Sequence, residues 1–229
     1  MEKPFISSLH IGKIQRLANT EYSSAIYKKK VTGPQKVSKL GILSDEQSDK
    51  INHGGVDKAI HHYAFENYEY WKKLFPDADV LKHPGAFGEN ISSLGMNEDT
   101  VMIGDIYKIG SCTVEVSQAR QPCWKLNYRF QYSEMSLKMQ ESLKTGWYYR
   151  VLEEGSMQEG DNIELIERPY PEYSLTYLLK ILYKKDNCLD SDILNDLIKI
   201  KTLALSWKNL LKNRLENKKV ENWEKRLFR

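Results

Sequence analysis

The sequence predicts a mainly β protein: a β-barrel with a few inserted helices, followed by a small C-terminal three-helix bundle. Three observations carry this expectation. Short apolar runs separated by glycine turns recur between residues 101 and 117, the spacing of a β-meander. Helical patterns interrupt the β-type sequence only twice, at residues 64–75 and 133–144, too seldom for a parallel α/β sheet. Past Arg168-Pro169-Tyr170-Pro171 the pattern becomes that of amphipathic helices, and two prolines stiffen the junction. The expected domains are residues 1–168, the barrel, and 172–229, the helical domain.

Taken in order, residues 5–31 read as early strands, with apolar and polar side chains alternating from Ile11 to Leu17. A turn at Val31-Thr32-Gly33-Pro34 leads to Gly41-Ile42-Leu43, a strand end opening onto Ser44-Asp45-Glu46-Gln47. The helix at 64–75 places Tyr68, Trp71, Leu74 and Phe75 on one face. The meander follows: strands at 101–103, 106–109 and 113–117, turning at Gly104-Asp105 and Gly110-Ser111. Cys112, Val114 and Val116 share a face, which makes Cys112 a core residue. Ser133 is the expected N-cap of the second helix, whose Met135, Met139 and Leu143 form a packing stripe. Strands at 147–152 and 162–166 close the β part. In the tail, Ser174 caps a leucine-rich helix; Ile193, Leu194, Leu197 and Ile198 mark a second, and Leu203, Trp207, Leu210, Leu211 and Leu215 a third.

Composition narrows the function classes. The net charge of +3 over 229 residues is too small to argue for a nucleic-acid partner, and none is expected. Residues 171–229 hold 13 Lys/Arg against 8 Asp/Glu, a solvated helical face or weak steering of an acidic partner. Three cysteines without a C-x-x-C pair argue against a disulfide framework and a structural zinc ribbon. No apolar run is long enough for a membrane span, and the start of the chain lacks a signal-peptide core, so the expected location is the cytoplasm.

The chemistry is expected at Gln118-Ala119-Arg120-Gln121-Pro122-Cys123-Trp124-Lys125. Proline before the cysteine fixes a torsion and removes a donor, so this is a loop. Arg120 and Lys125 flank the sulfur in sequence and, if they flank it in space, favour thiolate; the alternative is a cysteine packed as a small hydrophobe. Asp45 and Glu46 form either an acid/base pair or a solvated turn. Asn52-His53-Gly54-Gly55 offers backbone amides to a ligand, or is a tight turn. Asp57-Lys58 is a charge pair just beyond. His61 and His62 are adjacent on a strand, so at most one faces a cleft. In Phe87-Gly88-Glu89-Asn90, Glu89 and Asn90 either bind a ligand or satisfy their own loop.

Taken together, Asp45-Glu46-Gln47, His53-Gly54-Gly55, Phe87-Gly88-Glu89-Asn90, Gly104-Asp105 and Gln118-x-Arg120-x-Pro122-Cys123-x-Lys125-Leu126 resemble the MOSC domain family in its bacterial YiiM-type subgroup. The family is named for the C-terminal domain of molybdenum cofactor sulfurase. Ser44 and Ala119 stand where that pattern usually has glycine and proline. The resemblance implies a MOSC-type β-barrel and a molybdenum cofactor (molybdopterin) held through Cys123 as metal ligand. It further implies reduction of N-hydroxylated compounds, hydroxylaminopurine-type base analogues among them, with electrons from a flavoprotein reductase. Gly54, Gly55, Lys58, Glu89, Asn90, Arg120 and Lys125 are the candidates to hold the cofactor. His53 and His62, the histidine matching the family position, are the candidates to orient or protonate, with Asp45 and Glu46 as substitutes. The competing class is a sulfur carrier cycling through a Cys123 persulfide, in which pyridoxal phosphate is not expected to bind directly. A binding module without turnover is a third.

Overall fold

The computed structural model describes residues 3–49, 54–184 and 186–229. Its strands are Phe5–Ile11 (β1), Gln15–Arg16 (β2), Ser23–Ser24 (β3), Lys29–Val31 (β4), Gln35–Ser38 (β5), Gly41–Ile42 (β6), Ile60–Ala64 (β7), Ile91–Leu94 (β8), Ile106–Ile109 (β9), Cys112–Ala119 (β10), Trp147–Glu153 (β11), Gly155–Met157 (β12) and Ile163–Glu167 (β13). The helices are Asn67–Leu74 (α1), Lys125–Phe130 (α2), Met135–Ser142 (α3), Leu175–Tyr183 (α4), Ser191–Lys199 (α5), Leu205–Asn217 (α6) and Glu224–Leu227 (α7).

One eight-stranded sheet, ordered β13-β9-β10-β11-β7-β8-β1-β4, organises the molecule. Its pairs are antiparallel except β7 with β8. β7 is buried along its whole length because sheet neighbours cover both edges and packed layers cover both faces. The start of β1 meets the start of β13 through a bridge from Phe5 to Asn162. A single bridge is not a ladder, so the expected closed barrel is not shown, and the helices make the architecture mixed rather than mainly β.

Local departures from the expected elements have identifiable causes. The alternating 11–17 stretch breaks at Gly12, where a Cβ would lie 2.3 Å from the Ala25 carbonyl oxygen. Residues 101–103 form a loop, because the Asp105 carboxylate takes the Met102 amide at 2.9 Å and the Ile103 amide turns to the Tyr173 carbonyl. Asp105 also holds Arg168 at 2.7 Å, tying the meander to the proline-rich junction. Helix α2, absent from the sequence pattern, is a single short segment beginning just after Cys123.

In the tail, the Ser174 hydroxyl accepts the Tyr177 amide at the start of α4, as a cap should. At the other end of α4, the fully buried Arg214 donates to the carbonyls of Ile181 and Leu182 and pairs with Glu221. One apolar core runs unbroken from the sheet (Val114, Val116, Trp147, Tyr149) into the helices (Leu178, Leu194, Trp207). A second, aromatic cluster packs Tyr63, Tyr68, Trp71 and Phe87 with Trp124 beneath α2. Among the described residues, no helix is long and apolar enough to cross a membrane.

Candidate active site at the Cys123 loop

Strand β10 ends at Ala119 and releases the chain into residues 120–124, where Cys123 starts the turn into α2 through the Leu126 amide. Two openings meet at this cysteine, which is 8% exposed. One is a narrow cleft of about 80 Å³, walled by Lys28, Asp45, Glu46, His61, Asn90 and Arg120 among others. The other is a groove of about 680 Å³ reaching toward the chain's C-terminal segment. Ser48, Lys58, Cys123, Lys125 and Tyr148 line both. A volume near 80 Å³ admits a few atoms, whereas the groove has the size of an ordinary ligand site.

Strand register decides which histidine faces the cleft. His61 pairs with Tyr148 and His62 with Trp147 across β7 and β11, so the two pairs point to opposite faces. His61 and Tyr148 line the cleft. His62 is in the core: its ring stacks on Trp147 at 4.2 Å and bonds the hydroxyls of Tyr149 (2.9 Å) and Ser93 (2.6 Å). The structure therefore places His61, not the expected His62, at the site. Gly146 permits this register, since a Cβ there would lie 2.4 Å from the His62 carbonyl oxygen.

Several other expected site residues are occupied with holding the walls in place. The buried Asp45 carboxylate binds Lys28, the Gly12 amide and the Asn90 amide nitrogen. Asn90 also donates to the His10 carbonyl and accepts the His61 amide at 3.1 Å, so both halves of its side chain are engaged. Glu89 is fully buried and takes Tyr68 Oη, the Gly85 and Phe87 amides and Ser92 Oγ; it shapes its own loop instead of lining the cleft. Gly54 and Gly55 line neither opening; Gly55, at φ +91°, begins the turn Val56–Lys58. Asp57 turns away to Arg150 at 2.5 Å, while Lys58 turns to the cysteine. His53 lies outside the described residues. Glu46 stands at the cleft rim, with Lys13 Nζ at 3.0 Å and the Ile14 amide at 2.8 Å.

The electrostatics follow from this arrangement. Burial lowers the Lys58 pKa, opposed by the charges of Asp49, Asp57 and Cys123. Burial pushes His61 well below its ordinary value, and Arg120 adds to the effect, so its imidazole is neutral near pH 7. Its Nε2 is buried without a hydrogen-bond partner among the described residues. Tyr148 is raised by burial against the pull of Arg120, so its phenol keeps its proton. Glu46 is lowered by the Ile14 amide and by Lys13, and is an anion near neutrality. Sequence reasoning missed Tyr148, Lys28 and His61; alternation across Trp147-Tyr148-Tyr149 was the signal available for the first.

The chain matches the MOSC domain model over residues 49–164. It belongs to the MOSC domain family. It is 36% identical over 220 residues to Protein YiiM of Escherichia coli, covering 96% of each chain. The crystal structure of YiiM from Escherichia coli superposes over 100% of both chains with a TM-score of 0.83 and 29% identity. A protein of Gibberella moniliformis named Reductase is 38% identical over 181 residues, 78% of this chain but 32% of that one.

The residues present fit the molybdenum cofactor. Among the described residues no three His, Cys, Asp or Glu side chains gather to hold a bare metal ion. A metal that brings its own sulfur donors would leave room for one protein thiolate, and Cys123 would offer that soft ligand beside Lys58, Lys125 and Arg120.

Proposed function

We propose that the protein is an oxidoreductase that reduces N-hydroxylated compounds, hydroxylaminopurine-type base analogues among them. It binds the molybdenum cofactor through Cys123 and takes electrons from a flavoprotein reductase in the cytoplasm, without a nucleic-acid or membrane partner. The observation that carries this reading is the position of Cys123 on the wall shared by a few-atom cleft and a ligand-sized groove. The likeness to a protein named Reductase supports the same class.

The reaction is R–NHOH + 2 e⁻ + 2 H⁺ → R–NH₂ + H₂O; the N–O bond breaks, and the hydroxyl oxygen leaves as water. The bound cofactor supplies the two-electron redox chemistry. The Cys123 thiolate holds it, and Lys58, Lys125 and Arg120 offset its negative charge. The narrow cleft restricts access to the small N–OH end. Tyr148, with its proton retained, donates a hydrogen bond to that end, and the neutral His61 imidazole orients it. Asp45 keeps the opposite wall in place through Lys28.

Metal analysis tests the proposal. Protein purified from cells that make the cofactor should carry about one molybdenum per chain and reduce hydroxylaminopurine with reduced methyl viologen as donor. Cys123→Ala should lose both. Metal-free protein bearing cyanide-labile sulfur on Cys123 would sink the reductase and establish a sulfur carrier.

A further inference from the structure

The groove on the far side of Cys123 is built in part by the C-terminal segment. The Trp124 amide donates to the Arg226 carbonyl at 2.7 Å, while Asn127 Nδ2 and Ser136 Oγ both donate to the Leu227 carbonyl at 2.8 Å. Arg226 reaches back to the Pro122 carbonyl and to Gln140 Oε1, each at 2.5 Å, so its guanidinium fastens the segment to the cysteine loop. Besides Arg226 and Lys58, three cations line the groove: Lys125, Lys225 and Arg229. No described carboxylate forms an ion pair with any of them. Asp49 is the one acidic side chain among the described lining residues, and its field acts on Lys58.

Arg229 is held without being neutralised. Its guanidinium lies 4.8 Å from the Tyr22 ring and 5.7 Å from the Trp124 ring. Such cation–π contacts hold the guanidinium against the two rings without neutralising its charge. A concave, low-dielectric wall focuses the field of the three cations into the groove. We infer that the groove is a subsite for a phosphate monoester, with Lys225 and Arg229 of the C-terminal segment as its phosphate contacts and Lys125 completing the cluster. The phosphate belongs either to the cofactor or to a phosphorylated heterocyclic substrate. In both cases the helical tail contributes residues to the site. This subsite goes beyond the reductase reading, because its charge exists whether or not metal binds.

Titration of cofactor-free protein with adenosine 5′-monophosphate and with adenosine, followed by tryptophan fluorescence at low salt, tests it. The monophosphate should bind about tenfold or more tightly than the nucleoside, and the preference should vanish in Lys225→Gln/Arg229→Gln. Equal binding of the two probes, or a preference that survives in that variant with an unchanged melting temperature, would overturn the inference. The same titration on cofactor-loaded protein separates the sources: binding abolished by loading assigns the phosphate to the cofactor, and binding retained assigns it to substrate. Protein from cofactor-making cells that carries no molybdenum yet still prefers the monophosphate defeats the reductase reading and leaves the subsite standing.

Discussion

The two faces of the β7–β11 ribbon treat their histidines in opposite ways. On the core face, both ring nitrogens of His62 are bonded, to Tyr149 and Ser93. On the cleft face, His61 keeps a buried Nε2 without a partner among the described residues, beside Tyr148, Lys58 and Cys123. The same division separates the loops: Asp45, Glu89 and Asn90 direct their hydrogen bonds inward, whereas Lys125 borders both openings. The teaching is that residue type does not distinguish scaffold from chemistry here. For the two histidines, remaining hydrogen-bonding capacity does.

The largest effect is expected where the scaffold side is broken. Lys28 and Asp45 are 6% and 3% exposed, and burial lowers the Lys28 pKa even against the attraction of Asp45. Asp45→Ala strands that ammonium without its partner and should cost about 3–5 kcal/mol. Urea unfolding at pH 7 measures it; a loss below about 1 kcal/mol would show that the pair does not hold the cleft wall.

The histidines test the comparison directly. His61→Gln should lower turnover about a hundredfold or more while leaving the unfolding midpoint nearly unchanged. His62→Gln should do the reverse, costing about 1–3 kcal/mol of stability with turnover per folded molecule within about threefold. If both variants lose turnover at equal stability, the two faces are not functionally distinct.

Much of this was legible in the sequence, and the failures share a cause. The glycine turns, the Ser174 cap and the leucine stripes are local signals, and they gave the strands from residue 106 to 109, near 113–117, 147–152 and 162–166 and the first three tail helices. The cysteine loop was legible because proline and flanking cations are read within eight residues. Which of two adjacent histidines faces the cleft depends on register with β11, more than eighty residues away. Whether Glu89 binds a ligand or its own loop depends on Tyr68 and on amides that the sequence does not place. Arg226 and Arg229 looked like a solvated tail, because nothing local shows that the segment returns to the Cys123 loop.

Acid stability provides a smaller, graded test. Burial depresses His10, His61 and His62, the last to about 3. A histidine held neutral in the fold but protonated at about 6.5 when unfolded gives stability that is complete above pH 6.5. For His62 that stability is lost as pH falls from 6.5 toward 3, at about 1.4 kcal/mol per pH unit, and His10 and His61 act in the same direction. The buried Glu98 is raised by desolvation and acts in the opposite sense, so the net slope is shallower than three histidines alone would give. Unfolding free energy should fall between pH 7 and pH 5, and the fall should be smaller in His62→Gln. A flat profile would mean that His62 titrates normally within the fold.

The smallest effect should come from Glu46, which looked like an acid/base residue in sequence and lines the cleft. Its carboxylate is 39% exposed, and the Ile14 amide and Lys13 hold its pKa below the usual range. Anionic at neutral pH, it has no proton to deliver, and its contact with Lys13 is screened by solvent. Glu46→Gln should therefore leave both the melting temperature and the pH–rate profile unchanged. A lost limb in that profile would make Glu46 the proton source and show that an exposed, fully bonded carboxylate can serve the chemistry. The division between the bonded scaffold and the His61 side of the cleft would then fail at the cleft rim.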